Sequence, residues 1–172
     1  MTQIHHKILL PLYTVFGLSL ITSVIPNGMA TIACLFLFTI TMIMAYSLRS
    51  SSEPKSFEHS HAVYIIRTIW KGSFIALAFI IIGGVYMFFN VDNAPLASCM
   101  SLFIDLAPTL EPDQLDAAAL TTIFKPCVGP YMAANKTVLT ITAITMIAPA
   151  GLYFVWNYGL GLKKAIQLKA IG

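Results

Sequence analysis

The chain has 172 residues, of which 58% are hydrophobic and 10% are charged, and its mean hydropathy is +0.80. Soluble domains carry about 25% charged residues, so this composition excludes an ordinary soluble protein and predicts an integral membrane protein. The formal net charge is +3, and the cations lie beside apolar runs, where they orient membrane helices. We therefore assign no nucleic-acid role to the chain.

Two apolar runs at the N-terminus predict a helical hairpin. The first span covers residues 8–25 and is longer than the core of a signal peptide. No small-x-small cleavage motif precedes Pro26, so we expect the span to be retained. Residues 25–28, with the sequence IPNG, predict a tight turn, and the second span covers residues 29–48. Spans joined by so short a turn pack as an antiparallel pair.

A basic and aromatic segment introduces the third span, which covers residues 69–89. At ~1.5 Å per residue this run is long enough to cross a bilayer core of ~30 Å. Arg67 and Lys71 lie one turn apart and can reach headgroups, while Trp70 suits the interface. The preceding residues 49–61 are rich in Ser, Glu, Pro and Lys and predict a flexible, solvated loop. Its histidines, His59 and His61, are expected to be solvated.

An acidic segment, residues 90–135, predicts the one sizeable loop outside the membrane. Pro112 and the following DQLDAAALTTIF predict a short helix, because Pro suits a first helical turn and apolar residues recur on one face. That face comprises Leu115, Ala119, Leu120 and Ile123. A second short amphipathic piece is expected over residues 99–106.

The fourth span covers residues 137–158. Pro149 lies in its middle and predicts a kink. Trp156 belongs to an aromatic belt at the far end, and Lys163 and Lys164 follow it, so we interpret these three residues as interface anchors together with Arg67, Trp70 and Lys71.

The ten cations divide eight to two between the two sides of this four-span arrangement. By the positive-inside rule, both termini lie in the cytoplasm, and we expect a bacterial inner membrane. The eight are Lys7, Arg49, Lys55, Arg67, Lys71, Lys163, Lys164 and Lys169, and the two are Lys125 and Lys136.

The three cysteines differ in their surroundings. Cys34 lies inside the second span, where a thiol behaves as a small hydrophobe, whereas Cys99 and Cys127 both lie in the external loop. Oxidising conditions in a bacterial periplasm favour a disulfide between them. It would close a loop of about 28 residues and stabilise it by roughly 3 kcal/mol. Two free cysteines are the alternative.

This cysteine pair resembles the one in the second external loop of four-span, quinone-linked oxidases that generate periplasmic disulfides. Those enzymes also need a C-x-x-C pair in the first external loop to pass electrons to quinone. Here that loop is residues 25–28, IPNG, which contains no cysteine. The sequence therefore argues against a thiol oxidoreductase.

The sequence offers few residues that could bind haem or zinc or carry ions across the membrane. Membrane haem needs histidines inside the spans, and transport of ions or protons needs ionisable groups near the midplane. The four predicted spans contain none of these. A zinc site built from His5 or His6 with His59 and His61 has no cysteine or acid to complete it. We therefore assign no catalytic residue, no cofactor and no metal.

The segment EHSHAVYIIRTIWKG, residues 58–72, resembles a motif of small bacterial membrane proteins in the Tic20-like group. In that group a polar loop ends in histidines, an Arg-Thr-aromatic-Trp cluster opens a span, and a last span ends in Trp, Tyr and Gly-Leu. The matching residues are His59, His61, Arg67, Thr68, Trp70, Trp156, Tyr158, Gly161 and Leu162. The resemblance implies a non-enzymatic membrane component and supplies no catalytic residues.

The sequence thus predicts an all-α integral membrane protein, residues 1–172, with four transmembrane helices and one disulfide-stapled external loop containing a short helix. Its expected partners are the lipid bilayer and other membrane protein subunits. The function favoured by elimination is that of a non-catalytic accessory or scaffolding subunit of a larger membrane complex. A small oligomeric transporter or channel is the alternative.

Overall fold

The computed structural model describes residues 2–25, 27–106 and 117–167, and these ranges form six α-helices. Within them, the side chains of residues 2–8, 98–99, 102–103, 105–106 and 117–124 lie outside the described part. The helices are α1 Thr2–Ser23, α2 Gly28–Ser51, α3 Phe57–Asn90, α4 Ala94–Leu106, α5 Ala117–Ala134 and α6 Lys136–Ile166.

Three of these helices, α2, α3 and α6, are long and apolar enough to cross a membrane. They contain the second, third and fourth predicted spans, each within a longer helix. The first predicted span corresponds to an apolar stretch of α1, Leu9–Ser23, which is shorter than the other three. Helical structure over all four predicted spans is therefore found, and length and composition identify three as candidate membrane spans.

The chain divides into two compact units. The first comprises Met1–Leu77 and Ala148–Gly172, and the second comprises Ala78–Ile147. The helices α1 and α2 belong to the first unit, and α4 and α5 belong to the second. The helices α3 and α6 each contribute residues to both.

One face of α1 supplies much of the core of the first unit. Leu9, Leu12, Tyr13 and Phe16 are at most 3% exposed, and their spacing of three or four residues is that of one helix face. Because α1 begins at Thr2, Pro11 lies in the helix interior, on the exposed side.

Asn27 starts α2. Its extended backbone and its Oδ1, which accepts a 2.9 Å hydrogen bond from the Met29 amide, make it the N-cap, the role that Asn fills best. Residue 26 lies outside the described part, so the complete four-residue turn stays a prediction. On α2, Thr41, Ala45 and Leu48 are buried at helical spacing.

The solvated loop predicted over residues 49–61 is wrong at both ends. α2 runs on to Ser51 and α3 begins at Phe57. Between them the Ser56 amide donates to the Glu53 carbonyl in a tight turn, in which Lys55 has a φ of 70°. The Ser56 hydroxyl accepts a bond from the His59 amide, which caps the first turn of α3.

In the first unit α1 runs antiparallel to α2, because Phe16 meets Phe38 while the later Ser19 meets the earlier Cys34. α2 runs antiparallel to α3, because Tyr46 meets Trp70 while the later Arg49 meets the earlier His59. α3 runs antiparallel to α6, because Tyr64 meets Asn157 while the later Gly72 lies against the earlier Phe154. Ring contacts join Phe16 to Phe38 between α1 and α2 and Tyr13 to Tyr158 between α1 and α6. The Tyr13 side chain also reaches His61, close to the start of α3. The beginnings of α1 and α3 and the ends of α2 and α6 therefore meet at one end of this unit.

The predicted external loop is mostly helical in the second unit. The two short helices expected there correspond to α4 and α5, but α5 runs on to Ala134 through Pro126 and Pro130. Residues 111–116 and the side chains of the expected apolar face lie outside the described part, so that face stays a prediction. α6 continues through Pro149 from Lys136 to Ile166, and the kink expected at Pro149 stays a prediction.

Asn135 ties the start of α6 to the residues that follow α3. Its side chain is 1% exposed, and its Oδ1 accepts a 2.7 Å bond from the Asp92 amide while its Nδ2 donates to the Asp92 carbonyl at 2.8 Å. Asp92 Oδ1 in turn accepts a bond from the Ala94 amide, which caps α4. The N-x-T sequence that begins at Asn135 therefore has its amide group occupied in the folded chain.

Candidate functional site

Two polar side chains, Tyr13 and His61, form a buried pair in the first unit. Tyr13 is 1% exposed and His61 is not exposed, and a 2.8 Å hydrogen bond joins Tyr13 Oη to His61 Nδ1. The edge of the imidazole also packs against Phe57, with ring centroids 4.6 Å apart. His61 was expected to be solvated, and that expectation is wrong because α3 begins early enough to carry it into the core.

A second polar link joins α3 to α6. The Tyr64 hydroxyl lies 3.0 Å from both the backbone oxygen and Oδ1 of Asn157. The Asn157 side-chain amide donates back to the Tyr153 carbonyl at 2.8 Å. These bonds use up polar groups that would otherwise face an apolar environment, at a cost of several kcal/mol each in a membrane. Their geometry therefore indicates a structural link.

Two glycines allow tyrosine side chains from neighbouring helices to approach closely, Gly161 on α6 and Gly17 on α1. A Cβ built on Gly161 would lie 2.7 Å from Tyr13 Oη and 2.8 Å from Tyr64 Cε1. A Cβ on Gly17 would meet Tyr158 Oη at 2.5 Å. Small residues of this kind let membrane helices pack closely. Gly17 and Gly161 both have this close-packing role.

Edge-to-face aromatic contacts surround these links. Phe16 packs against Phe38, Phe154 and Tyr158 with centroid distances of 5.9, 6.4 and 5.8 Å. Such geometry is favourable beyond the area it buries. The interior of this unit is therefore filled by rings and hydrogen bonds between helices.

A groove with three basic residues opens beside this core, at the start of α3. It has a volume of about 270 Å³. Its described lining is Pro54, Lys55, His59, Ser60, Val63, Tyr64 and Arg67. Five of these follow one stripe of α3 at positions i, i+1, i+4, i+5 and i+8, and among the described residues that line the groove there is no acid.

His59 is held in place within the groove. Its Nδ1 lies 3.2 Å from the carbonyl oxygen of Arg49, and because a carbonyl can only accept, Nδ1 is the donor. The side chain of Arg67 is exposed. One turn further along α3, Trp70 Nε1 donates a 3.1 Å bond to the Tyr46 hydroxyl.

A second, apolar groove of about 470 Å³ lies between α1 and α6. Gly17 lies in its lining, which is otherwise mainly aliphatic. Leu18, Ile21 and Val155, which also line it, are 46%, 63% and 62% exposed. Its residues offer shape and apolar surface, and the hydroxyls of Thr14 and Tyr158 are its polar groups.

The predicted interface anchors are all exposed, with Trp70 at 51% and Trp156 at 69%. The charged members are Arg67, Lys71, Lys163 and Lys164. Of these, Arg67 alone lines the basic groove. Exposure is what an anchor requires, and the anchoring role itself stays a prediction.

The cysteines divide as their sequence positions suggest. Cys34 has a free thiol and donates a 3.3 Å bond to the Ser19 carbonyl. Cys127 is 5% exposed. The side chain of Cys99 lies outside the described residues, so the pairing of Cys99 with Cys127 stays a prediction.

No group of three or more His, Cys, Asp or Glu residues that could hold a metal ion is found among the described residues. The side chains of His5 and His6 are outside that part of the chain. The argument against haem was that no predicted span contains a histidine, whereas α3 extends beyond the third predicted span and includes both His59 and His61. His61 is engaged with Tyr13.

Comparison with known proteins gives no match. Neither a protein-family model, nor a curated protein, nor a solved structure matches this chain. The function therefore has to be argued from the residues themselves.

The sequence reasoning missed the partners Tyr13 and Asn157 and the inward position of His61. One signal was available for His61. Ser56 is a good N-cap residue. After it, His61, Ile65 and Ile69 recur every four residues, which is the spacing of one helix face. Nothing in the sequence paired Tyr64 with Asn157, because they are 93 residues apart.

Proposed function

We propose that this chain is a non-catalytic integral membrane protein that acts as an accessory or scaffolding subunit of a larger membrane complex. The observation that carries the proposal is the outward distribution of its apolar side chains. In the most apolar 18-residue stretch of α2, α3 and α6, 11% is buried within the chain's own fold. The exposed side chains of these stretches are available to lipid and to neighbouring protein.

The exposed apolar side chains of α2 illustrate this surface. Ile32, Phe36 and Ile43 are 64%, 66% and 63% exposed, and they recur along one face of the helix. Contiguous apolar surface of this kind marks contact with a membrane or a partner. A helix that packs against another subunit needs such a face.

The buried polar groups support a structural role. The bonds of Tyr13 with His61 and of Tyr64 with Asn157 connect helices of the same unit. A substrate path would need polar groups that face a cavity near the middle of the bilayer, whereas Tyr13 and His61 are buried and bind each other. The resemblance of residues 58–72 to Tic20-like proteins points the same way and is part of the proposal.

The proposed topology has four membrane-spanning helices, with α1 as the first and both termini in the cytoplasm of a bacterium. Its support is the antiparallel arrangement of the first unit. The ends that meet there carry Arg49, Lys55, Arg67, Lys163 and Lys164, and basic residues collect on the cytoplasmic side. A disulfide between Cys99 and Cys127 on the opposite side completes the proposal.

The mass of the native particle tests the function. The tagged protein is extracted with mild detergent from its own host and run on a native gel, and the band is examined by mass spectrometry. A subunit gives a heavy band that contains other proteins in fixed ratio. A small homo-oligomer without other proteins contradicts the proposal and favours the transporter or channel.

Partner contact can also be mapped directly. A photo-crosslinking amino acid at Phe36, on the exposed face of α2, is expected to capture another protein subunit. The control is the same group at Phe38, which packs inward against Phe16 and Phe154. If scanning Ile32, Phe36 and Ile43 yields lipid adducts alone, α2 is not the contact surface.

Impermeant thiol labelling tests the topology. In a Cys34→Ala background, Ala133→Cys and Ser51→Cys place thiols at exposed positions at the ends of α5 and α2. We expect Ala133→Cys to react from outside intact cells and Ser51→Cys to react after permeabilisation. The opposite pattern contradicts the proposed orientation.

Gel mobility tests the disulfide. The unreduced protein should migrate faster than the reduced protein, because a closed loop is more compact in SDS. Cys127→Ala should remove the difference, and Cys34→Ala should leave it. Equal mobility of the reduced and unreduced wild type would show that the two cysteines are free.

A further inference from the structure

We propose that the groove at the start of α3 is a binding site for the phosphate group of an anionic phospholipid. The inference begins with charge. Lys55 and Arg67 carry full positive charge, and no acid is found among the described residues that line the groove. Arginine and lysine are the residues that recognise phosphate oxygens.

The dimensions of the groove suit a headgroup. Its volume of about 270 Å³ is below the usual range for sites that enclose a drug-sized ligand, roughly 300–1,000 Å³. A phosphate with its glycerol fits within it, and acyl chains have to lie outside. Val63 and Pro54 supply apolar contacts in the same lining.

The residues beyond the groove offer a place for those chains. Trp70, Phe74 and Leu77 continue along α3 and are 51%, 65% and 54% exposed. A soluble phosphate compound has no acyl chains that could contact an apolar helix face next to its site. A phospholipid needs both features in this order, with the charged group first and the apolar surface after it.

The groove is also preformed. His59 is oriented by its bond to the Arg49 carbonyl, and Tyr64 is fixed by its bonds to Asn157. Lys55 occupies the turn between α2 and α3 with a φ of 70°, a conformation that side-chain-bearing residues other than Asn and Asp rarely adopt. Lys55 of this turn and five residues of α3 therefore line the same groove.

Quenching of tryptophan fluorescence tests the site. The chain has two tryptophans, so Trp156→Phe leaves Trp70, one turn from Arg67, as the reporter. The full-length protein is reconstituted in vesicles that contain phosphatidylglycerol or phosphatidylcholine brominated near the headgroup. The ratio of quenching gives the relative binding constant of the anionic lipid.

We expect a clear preference for phosphatidylglycerol. Each cation near a membrane surface contributes a factor of about 5 in binding, so Arg67→Gln and Lys55→Asn should each lower the preference about 5-fold. Asn tolerates the positive φ at position 55, so the second variant keeps the turn. The matched control is Lys164→Gln, an exposed lysine outside the groove, which should keep the preference.

Three results would overturn the inference. The first is equal quenching by the two lipids in the wild type. The second is an equal loss of preference in Lys164→Gln and Arg67→Gln, which would indicate general surface charge. The third is loss of the preference when inorganic phosphate is added, which would assign the groove to a soluble ligand.

The inference rests on the proposed membrane insertion of α3, and the same experiment separates the two. If neither brominated lipid quenches Trp70, the insertion itself is refuted. If both lipids quench it equally, insertion stands and the headgroup site is refuted.

Discussion

The close approach of Gly161 to two tyrosines gives the sharpest prediction of stability. In Gly161→Ala, the new Cβ would lie 2.7 Å from Tyr13 Oη and 2.8 Å from Tyr64 Cε1. Carbon contacts are favourable at roughly 3.5–4.0 Å, so both rings have to move by about 1 Å. Tyr13 is 1% exposed and has little room to do so.

The magnitude follows from these contacts. Overpacking a filled interior costs about 1–3 kcal/mol. Moving Tyr13 also lengthens its 2.8 Å bond to His61, and a lost hydrogen bond adds about 1 kcal/mol. Replacing a helical glycine by alanine gains about 1 kcal/mol from helix propensity. We therefore expect Gly161→Ala to be less stable than the wild type by about 1–3 kcal/mol.

A control on the same helix isolates the steric effect. A Cβ on Gly159 would meet nothing within 4 Å, so Gly159→Ala shows the propensity gain alone. Unfolding by SDS from mild detergent micelles, followed by far-UV circular dichroism, gives the free energy of unfolding of each variant. Equal stability of the two variants would refute the packing of Tyr13 against Gly161.

A double-mutant cycle extends the test to the contact itself. Tyr13→Phe removes the oxygen that is closest to the new Cβ, so Gly161→Ala should cost less in that background. Contacting residues show coupling energies of roughly 0.5–3 kcal/mol. Additive effects of the two substitutions would place the clash elsewhere.

The remaining predictions concern single hydrogen bonds. Tyr13→Phe removes the 2.8 Å partner of His61 Nδ1 and should lower the free energy of unfolding by about 1 kcal/mol or more. Tyr46→Phe removes an exposed hydrogen bond to Trp70 and should change the free energy of unfolding by less than about 0.5 kcal/mol. Equal effects of the two substitutions in the SDS titration would contradict the argument from burial. Asn135→Ala removes the acceptor of the Asp92 amide and should speed hydrogen exchange at that amide, while Asn90→Ala, which loses a bond to its own preceding turn, should not.

Local patterns in the sequence were enough to predict most of the helices. Runs of apolar residues predicted helical structure at all four expected spans, because backbone polar groups in an apolar run are best satisfied within a helix. The sequence prediction was wrong at residues 49–61, where the polar composition suggested a loop. Ser56 caps a helix there, and the cap outweighs the composition of the residues around it.

The basic groove shows the limit of the sequence more clearly. Arg67 was predicted to reach headgroups from its place beside an apolar run. Its grouping with Lys55 and His59 depends on the turn at residues 53–56 and on the first turns of α3. Those features appear once the start of the helix is known.

The sequence by itself determined that this chain contains helices long and apolar enough to cross a membrane, because hydropathy is a property of each segment alone. It left open which face of each helix points inward, since the spans are apolar on all sides. The tertiary structure decided that question through Gly161, His61 and Asn157. A small residue admits a tyrosine, and a buried polar group requires a partner, and both conditions are met by residues far apart in the chain.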